Sequence, residues 1–275
     1  MKLLTLNAHS LVEENYPEKL KSFTSAVCRE IPDIIALQEV NQTQAAAEIP
    51  SAATSGFTPC GDIPVKEDNH ALNVVKILAE NGIKYYWTWL GMKFSYGKYD
   101  EGIALFSRSK IIEAKVVLVS GINDYSNWKT RKIIGIRTEE NPDTWYYSVH
   151  LGWWDDKDDP FQMQWQRLDE NVKNEGTVWI MGDFNSPAEV RCEGYDMISN
   201  SGWYDSYSLA ENKDSGITVG KVIDGWRDKL SDTNGMRIDQ IWCNKEVPVN
   251  SSKVIFNGSN EPIVSDHYGI IIETR

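Results

Sequence analysis

The stretch 179–187 reads WIMGDFNSP, and it closes an apolar run that begins at Val178. Such a run predicts a buried strand, which Gly182 ends. The strand then delivers Asp183 and Asn185 two residues apart, with Pro187 closing the turn. Gly, Asp and Asn are ordinary turn residues, so this segment alone is turn chemistry as readily as catalysis. Its meaning depends on whether other strands end in partners for it.

Several do. KLLTL (2–6) predicts a first strand that ends in Asn7. DIIALQE (33–39) is a short buried strand whose polar end is Gln38–Glu39. TWYYSVHL (144–151) delivers His150 and pairs as a hairpin with RKIIGIRT (131–138) around EENPD. IDQIWC (238–243) places Asp239 at a strand start, and Asp266 and His267 precede a last strand, YGIIIET (268–274). Further strands are expected at 83–90, 102–108, 111–120 and 252–257. Helical spacing marks 17–31, 69–82 and roughly 161–174. Many strands, few helices and no linker predict one α/β domain over 1–275, with large sheets inside and helices outside. The connection 206–237 is long and polar, and loops of that length in a compact domain tend to be functional.

The bulk properties limit the partners. The 275 residues bury a sizeable core without disulfides. With 28 Lys+Arg against 40 Asp+Glu, the net charge of −12 repels polyanions. Avid nonspecific binding to nucleic acid or an anionic membrane is therefore disfavoured, and no stable nucleic-acid complex is expected. The four cysteines lie far apart without metal-ligand spacing, which fits a reducing compartment. No apolar run approaches a membrane span, and the first residues turn polar too soon for a signal peptide. A cytoplasmic protein is expected.

Taken singly, Asn7 is a turn residue, Glu39 a solvated strand end and His150 a hydrogen-bonded structural histidine. The set says more. Carboxylates and carboxamides are what a hard divalent cation such as Mg²⁺ accepts. Two histidines beside them add acid–base capacity near neutral pH.

In order, TLNAHS, ALQEV, DEGIALFSR, SVHL, GDFN, RIDQIW and SDHYG resemble the signature segments of the endonuclease/exonuclease/phosphatase superfamily of metal-dependent phosphoesterases. The resemblance spans residues 5–269. It implies a four-layer α/β sandwich of two packed mixed sheets flanked by helices, as in DNase I, with the active site at one end of the sheets. It also implies roles. Glu39 resembles the main Mg²⁺ ligand (Mn²⁺ is an alternative ion), with Asn7 and Asp266 nearby in the metal shell. Asp183 resembles the residue that orients or deprotonates the attacking water, and Asn185 the amide that holds a phosphate oxygen. Asp239 and His267 resemble the family's Asp–His pair. His150 matches the second histidine, a candidate proton donor, and Glu101 a carboxylate that orients it.

The substrate is narrowed by three features. Glu101–Gly102 with His150 is similar to the DNase I and sphingomyelinase-like branches and departs from the AP-endonuclease pattern. The longest basic cluster is only KTRK (129–132), in which Arg131 is either a phosphate holder or a surface charge at a strand end. Eleven tryptophans include Trp153–Trp154 directly after His150, with DDKDD (155–159) following. The tryptophans could stack on a sugar ring, with DDKDD supplying hydrogen bonds to it, or stack on bases or face a core. The acidic, tryptophan-rich chain also resembles a bacterial subgroup, the maltose 6'-phosphate phosphatases. The expected reaction is removal of phosphate from a small soluble sugar phosphate. The alternatives are a nuclease or phosphodiesterase on the same fold, and a binding protein without catalysis.

Overall fold

The computed structural model describes residues 1–50, 54–220, 226 and 235–275. The first sheet contains β1 (Lys2–Asn7), β2 (Ile34–Thr43), β3 (Tyr86–Ser95), β4 (Tyr99–Ser107), β10 (Ala210–Lys213), β12 (Val249–Ile255) and β13 (Gly269–Thr274). Its order is β10-β12-β13-β1-β2-β4-β3. The second contains β5 (Ile111–Leu118), β6 (Lys132–Thr138), β7 (Thr144–His150), β8 (Thr177–Asp183), β9 (Tyr204–Asp205) and β11 (Asp239–Cys243), in the order β5-β6-β7-β8-β11-β9. Both sheets mix parallel and antiparallel pairs.

Side chains of a strand point alternately to its two faces, so a strand buried on both sides reads as continuously apolar. β1 shows this directly. Leu3 packs between the sheets with Ala36, Met181, Ile241 and Ile270. Leu4 and Leu6 point the other way, against the helices. Those helices are α1 (Tyr16–Glu30) and α2 (His70–Glu80). α1 buries Leu20, Phe23 and Val27 along one stripe. Pro17 sits in its first turn, where a missing N–H leaves no bond unmade. α2 starts where the Asn69 side chain accepts from the Leu72 N–H at 3.1 Å.

On the far side, α3 (Phe161–Val172) turns Phe161, Trp165, Leu168 and Val172 onto the second sheet, joined by Ile198 of α4 (Gly194–Asn200). The result is helix, sheet, sheet, helix. Truncating a residue as enclosed as Trp165 to Ala costs about 3–5 kcal/mol.

The hairpin of β6 and β7 forms as expected, with Gly135 opposite Tyr147. Two strands run further than their apolar cores suggest. β2 continues to Thr43, past Glu39, and β3 is displaced to Tyr86–Ser95. Their extensions carry polar residues that still pair in the sheet, and Glu39, Lys93 and Ser95 among them face a cleft. The connection 206–237 contains α5 (Ser206–Leu209) and β10, while 221–225 and 227–234 lie outside the described residues. Among the described residues no helix is long and apolar enough to cross a membrane.

Candidate active site

Strand register assembles the site. β7 and β8 run parallel, which sets His150 beside Asp183, and β8 and β11 run antiparallel, which sets Asp239 on Asp183's other side. In the first sheet, Asn7 lies level with Gln38. The next residue, Glu39, sits where the β2–β4 pairing slips between Leu37 and Val40, with left-handed backbone at φ 50°. A bulge of this kind re-aims a side chain. Asn185 is also left-handed, at φ 47°. Such backbone costs on the order of 1–3 kcal/mol per residue and collects where function requires it. Gly182 has φ 148°, and a Cβ there would overlap the Val149 carbonyl oxygen. Only glycine lets β8 carry Asp183 this close to β7.

The side chains then interlock. Asn7 Nδ2 donates to Glu39 Oε1 at 2.9 Å and to Asp183 Oδ2 at 3.1 Å, so one amide ties the two carboxylates together. Asp183 Oδ1 accepts the Asn185 N–H at 2.8 Å. The His267 Nδ1 position lies 2.9 Å from Asp239 Oδ2. The Nε2 atoms of His150 and His267 lie 3.6 and 3.9 Å from the same Asp183 Oδ2. Above this floor opens a cavity of about 360 Å³, lined also by Lys93, Glu101, Arg131 and Asp266, with Tyr96, Trp128 and Trp153 among its walls.

Burial and charge divide these groups. Burial pushes the Asp183 carboxyl up to about 7, against the pull of His267. Burial works to lower His267, but Asp239 outweighs it and holds the imidazole up at about 10, charged at neutral pH. His150 is held well below the ordinary histidine value by burial, then by Arg131 and Lys93, and stays neutral. Burial drives the Glu39 carboxyl up, and Glu101 adds to it. Glu101 faces the same burial, but Lys93 and then Arg131 overcome it and keep it ionised.

A divalent cation fits this donor set. Glu39 opens on the cleft beside two further carboxylates, Glu101 and Asp266, and among the described residues it makes no ion pair. Charge crowding of that kind is relieved by a cation. Two other groupings of ligand-type atoms are more self-contained. Asp183, Asp239 and His267 are already joined by the Asp239–His267 hydrogen bond. His9, Glu13 and Asp266 are joined by His9 Nδ1 to Glu13 at 2.7 Å, and Lys19 also pairs with Glu13.

The structure thus brings Asn7, Glu39, Glu101, Arg131, His150, Trp153, Asp183, Asn185, Asp239, Asp266 and His267 to one end of the sandwich. Three expectations change. Trp154 packs against Phe161 and the core under α3, away from the cleft walls. In DDKDD, Asp156 and Asp158 bind Lys129, and Asp159 binds Arg167, so they fasten loops together. No hydrogen bond joins Glu101 to His150, whose buried Nδ1 has no partner among the described residues. Glu101 is turned to Lys93 at 3.0 Å, because a buried carboxylate is stabilised far more by an ammonium than by a neutral ring. Asn185 spends one Nδ2 hydrogen on the Leu151 carbonyl, and its Oδ1 accepts from Trp226. One amide hydrogen is left for a ligand.

Lys93, His9 and Tyr96 line the cleft without having been singled out. A signal for Lys93 was present. A hairpin turning at Tyr96–Gly97 sets Lys93 opposite Glu101, and β3 and β4 pair in that register.

A model described as the Endonuclease/Exonuclease/phosphatase family matches residues 4–267. Comparison with curated proteins finds no match. Among solved structures, an endonuclease/exonuclease/phosphatase family protein from Leptotrichia buccalis is 32% identical at a TM-score of 0.88, covering 100% of this chain and 99% of its own. A mannosyl-6-phosphatase from Bacteroides thetaiotaomicron is 15% identical at 0.64, and a 3' phosphatase from Neisseria bound to product DNA hairpin is 20% identical at 0.63. Each of these two covers 100% of this chain and 99% of its own, and at such identities the likeness speaks for the fold alone.

Proposed function

The chain belongs to the endonuclease/exonuclease/phosphatase family, and from that premise we propose that it is a Mg²⁺-dependent phosphomonoesterase acting on a small soluble sugar phosphate such as maltose 6'-phosphate. The observation that carries this reading is the cavity itself. A cleft of about 360 Å³ ends on Asp183 and two imidazoles. That volume suits one small ligand better than a nucleic-acid strand. The net charge of −12 argues the same way. A mannosyl-6-phosphatase among the structural neighbours is in keeping with a sugar substrate.

Each residue then has a task. Glu39, with Asn7 and Asp266, would hold the divalent ion, which supplies positive charge for the phosphoryl oxygens. Asp183, anchored by Asn7 and the Asn185 N–H, accepts a proton from the attacking water. Asn185 turns its free amide hydrogen to a phosphoryl oxygen. His267, fixed by Asp239, is the imidazole with a proton to give to the leaving oxygen. His150 is neutral and donates a hydrogen bond without changing charge. Arg131 presents buried Nε and Nη1 donors that no group takes among the described residues. Trp153, with Trp128 at 5.7 Å between ring centroids, offers a wall for the sugar. We place the reaction in the cytoplasm, with Mn²⁺ as a substitute ion.

The test is a panel of mono- and disaccharide phosphates and supercoiled plasmid, each with Mg²⁺ and with EDTA. Phosphate release from sugar phosphates without plasmid nicking is expected. Nicking without phosphate release contradicts the proposal in favour of a nuclease.

A further inference from the structure

The proposed function leaves Lys93 without a task. Its side chain is buried, at 5% exposure, yet it lines the cleft beside Arg131, which is 3% exposed. Burial pulls the pKa values of both cations down, and for Lys93 the neighbouring Arg131 is the next cause. Two positive groups are therefore held close in a desolvated place, an arrangement that needs an anion to offset it. Glu101 supplies one negative charge, at 3.0 Å from Lys93 Nζ. Among the described residues nothing bonds two buried donors of Arg131. Lys93 Nζ also donates to the Trp128 carbonyl oxygen at 3.0 Å, which fixes the ammonium on the cleft side of β3. Glu39 attracts both cations and Asp183 attracts Arg131 from further off, but among the described residues only Glu101 is in ion-pair contact with either of them, so Arg131 keeps open donors towards the cavity.

We propose that Lys93, together with Arg131, reads the second negative charge of a terminal phosphoryl group, and so makes the site prefer phosphomonoesters over phosphodiesters. The inference rests on the phosphomonoesterase reading and adds the residue that sets its selectivity. A monoester carries nearly two negative charges at pH 7, since its second pKa is about 6. A diester carries one and adds a second organic arm. An ammonium next to the guanidinium favours the doubly charged group by Coulomb attraction, strengthened where water is excluded. Glu101 acts here as the positioning partner of Lys93, not as a proton carrier.

The experiment compares kcat/KM for 4-nitrophenyl phosphate and bis(4-nitrophenyl) phosphate in wild type, Lys93→Met and Lys93→Arg. Inorganic phosphate binding is measured by calorimetry on the same proteins with Mg²⁺ present. Lys93→Met is expected to lose at least tenfold of the monoester-over-diester preference, to raise the monoester KM more than it lowers kcat, and to bind phosphate at least tenfold more weakly. Lys93→Arg keeps the charge and retains most of the preference. If Lys93→Met does not fold, Lys93→Gln carries the same expectation. An equal fall on both esters with unchanged phosphate affinity overturns the role of Lys93 and leaves the proposed function standing. A wild type that cleaves the diester alone overturns both.

Discussion

Two imidazoles approach one carboxylate oxygen and end in opposite protonation states. His267 and His150 stand 3.9 and 3.6 Å from Asp183 Oδ2, and both are buried. Burial acts on both in the same direction, towards the neutral ring. The difference lies in the next neighbour. His267 meets the Asp239 carboxylate at 2.9 Å and stays charged, while His150 faces Arg131 and Lys93 and stays neutral. In a desolvated cleft the second neighbour, not the distance to the reacting centre, decides which imidazole has a proton to give.

Removing the charged partner is the largest way to break this contrast. His267→Ala is expected to lower kcat on a sugar phosphate by ~10³–10⁴. The loss is smaller on 4-nitrophenyl phosphate, whose leaving group needs no proton. Equal losses on the two substrates contradict the donor role. Asp239→Asn keeps the ring but removes the charge that stabilises its proton, and ~10²–10³ in kcat is expected to go. The high-pH limb of the rate profile should then move down from about 10, because the charged form of His267 is lost at lower pH. A profile that does not move separates Asp239 from the protonation of His267.

His150→Ala is expected to cost ~10–10² in kcat, equally for good and poor leaving groups, since a neutral hydrogen-bond donor serves both. A loss confined to the sugar phosphate would exchange the two histidines' roles.

A third buried histidine shows what burial does with no ion near. Among the described residues the His70 ring hydrogen-bonds only with the Tyr16 hydroxyl, at 2.9 Å, and burial lowers its pKa to about 3. Its folded pKa lies below the unfolded one, so its contribution is fully present above about 6.5 and is lost as the pH falls towards 3. Between pH 6.5 and 5.5 the loss is about 1 kcal/mol. Denaturant melts of wild type and His70→Asn across that interval should differ in slope. Identical slopes mean that His70 titrates normally.

The same contrast explains what was legible in the sequence. Asp183, Asp239, His150 and His267 sit at or next to strand ends, where an apolar run gives way to a polar residue. Strand pairing then brings those ends together without further instruction. Lys93 and Glu39 were harder, for one reason. Both lie inside strands that continue beyond their apolar cores, and a lysine or glutamate after such a core looks like a solvated end. The role of Glu101 was misread because its neighbour Lys93 was not seen, and a buried charge is defined by its partner. The walls of the cleft were the least legible. Trp128 and Trp153 face it while Trp154 turns into the core, and no periodicity separates adjacent loop residues.

All of this supposes that the crowded carboxylates around Glu39 hold a cation that the reaction uses. The most direct measurement is the rate of phosphate release from maltose 6'-phosphate as Mg²⁺ is titrated into metal-free protein, for wild type beside Glu39→Ala. The wild-type rate should rise from nothing to a plateau, and Glu39→Ala should stay at background throughout. A wild-type rate that is the same in EDTA as in Mg²⁺, or a Glu39→Ala protein that reaches the same plateau, contradicts the account.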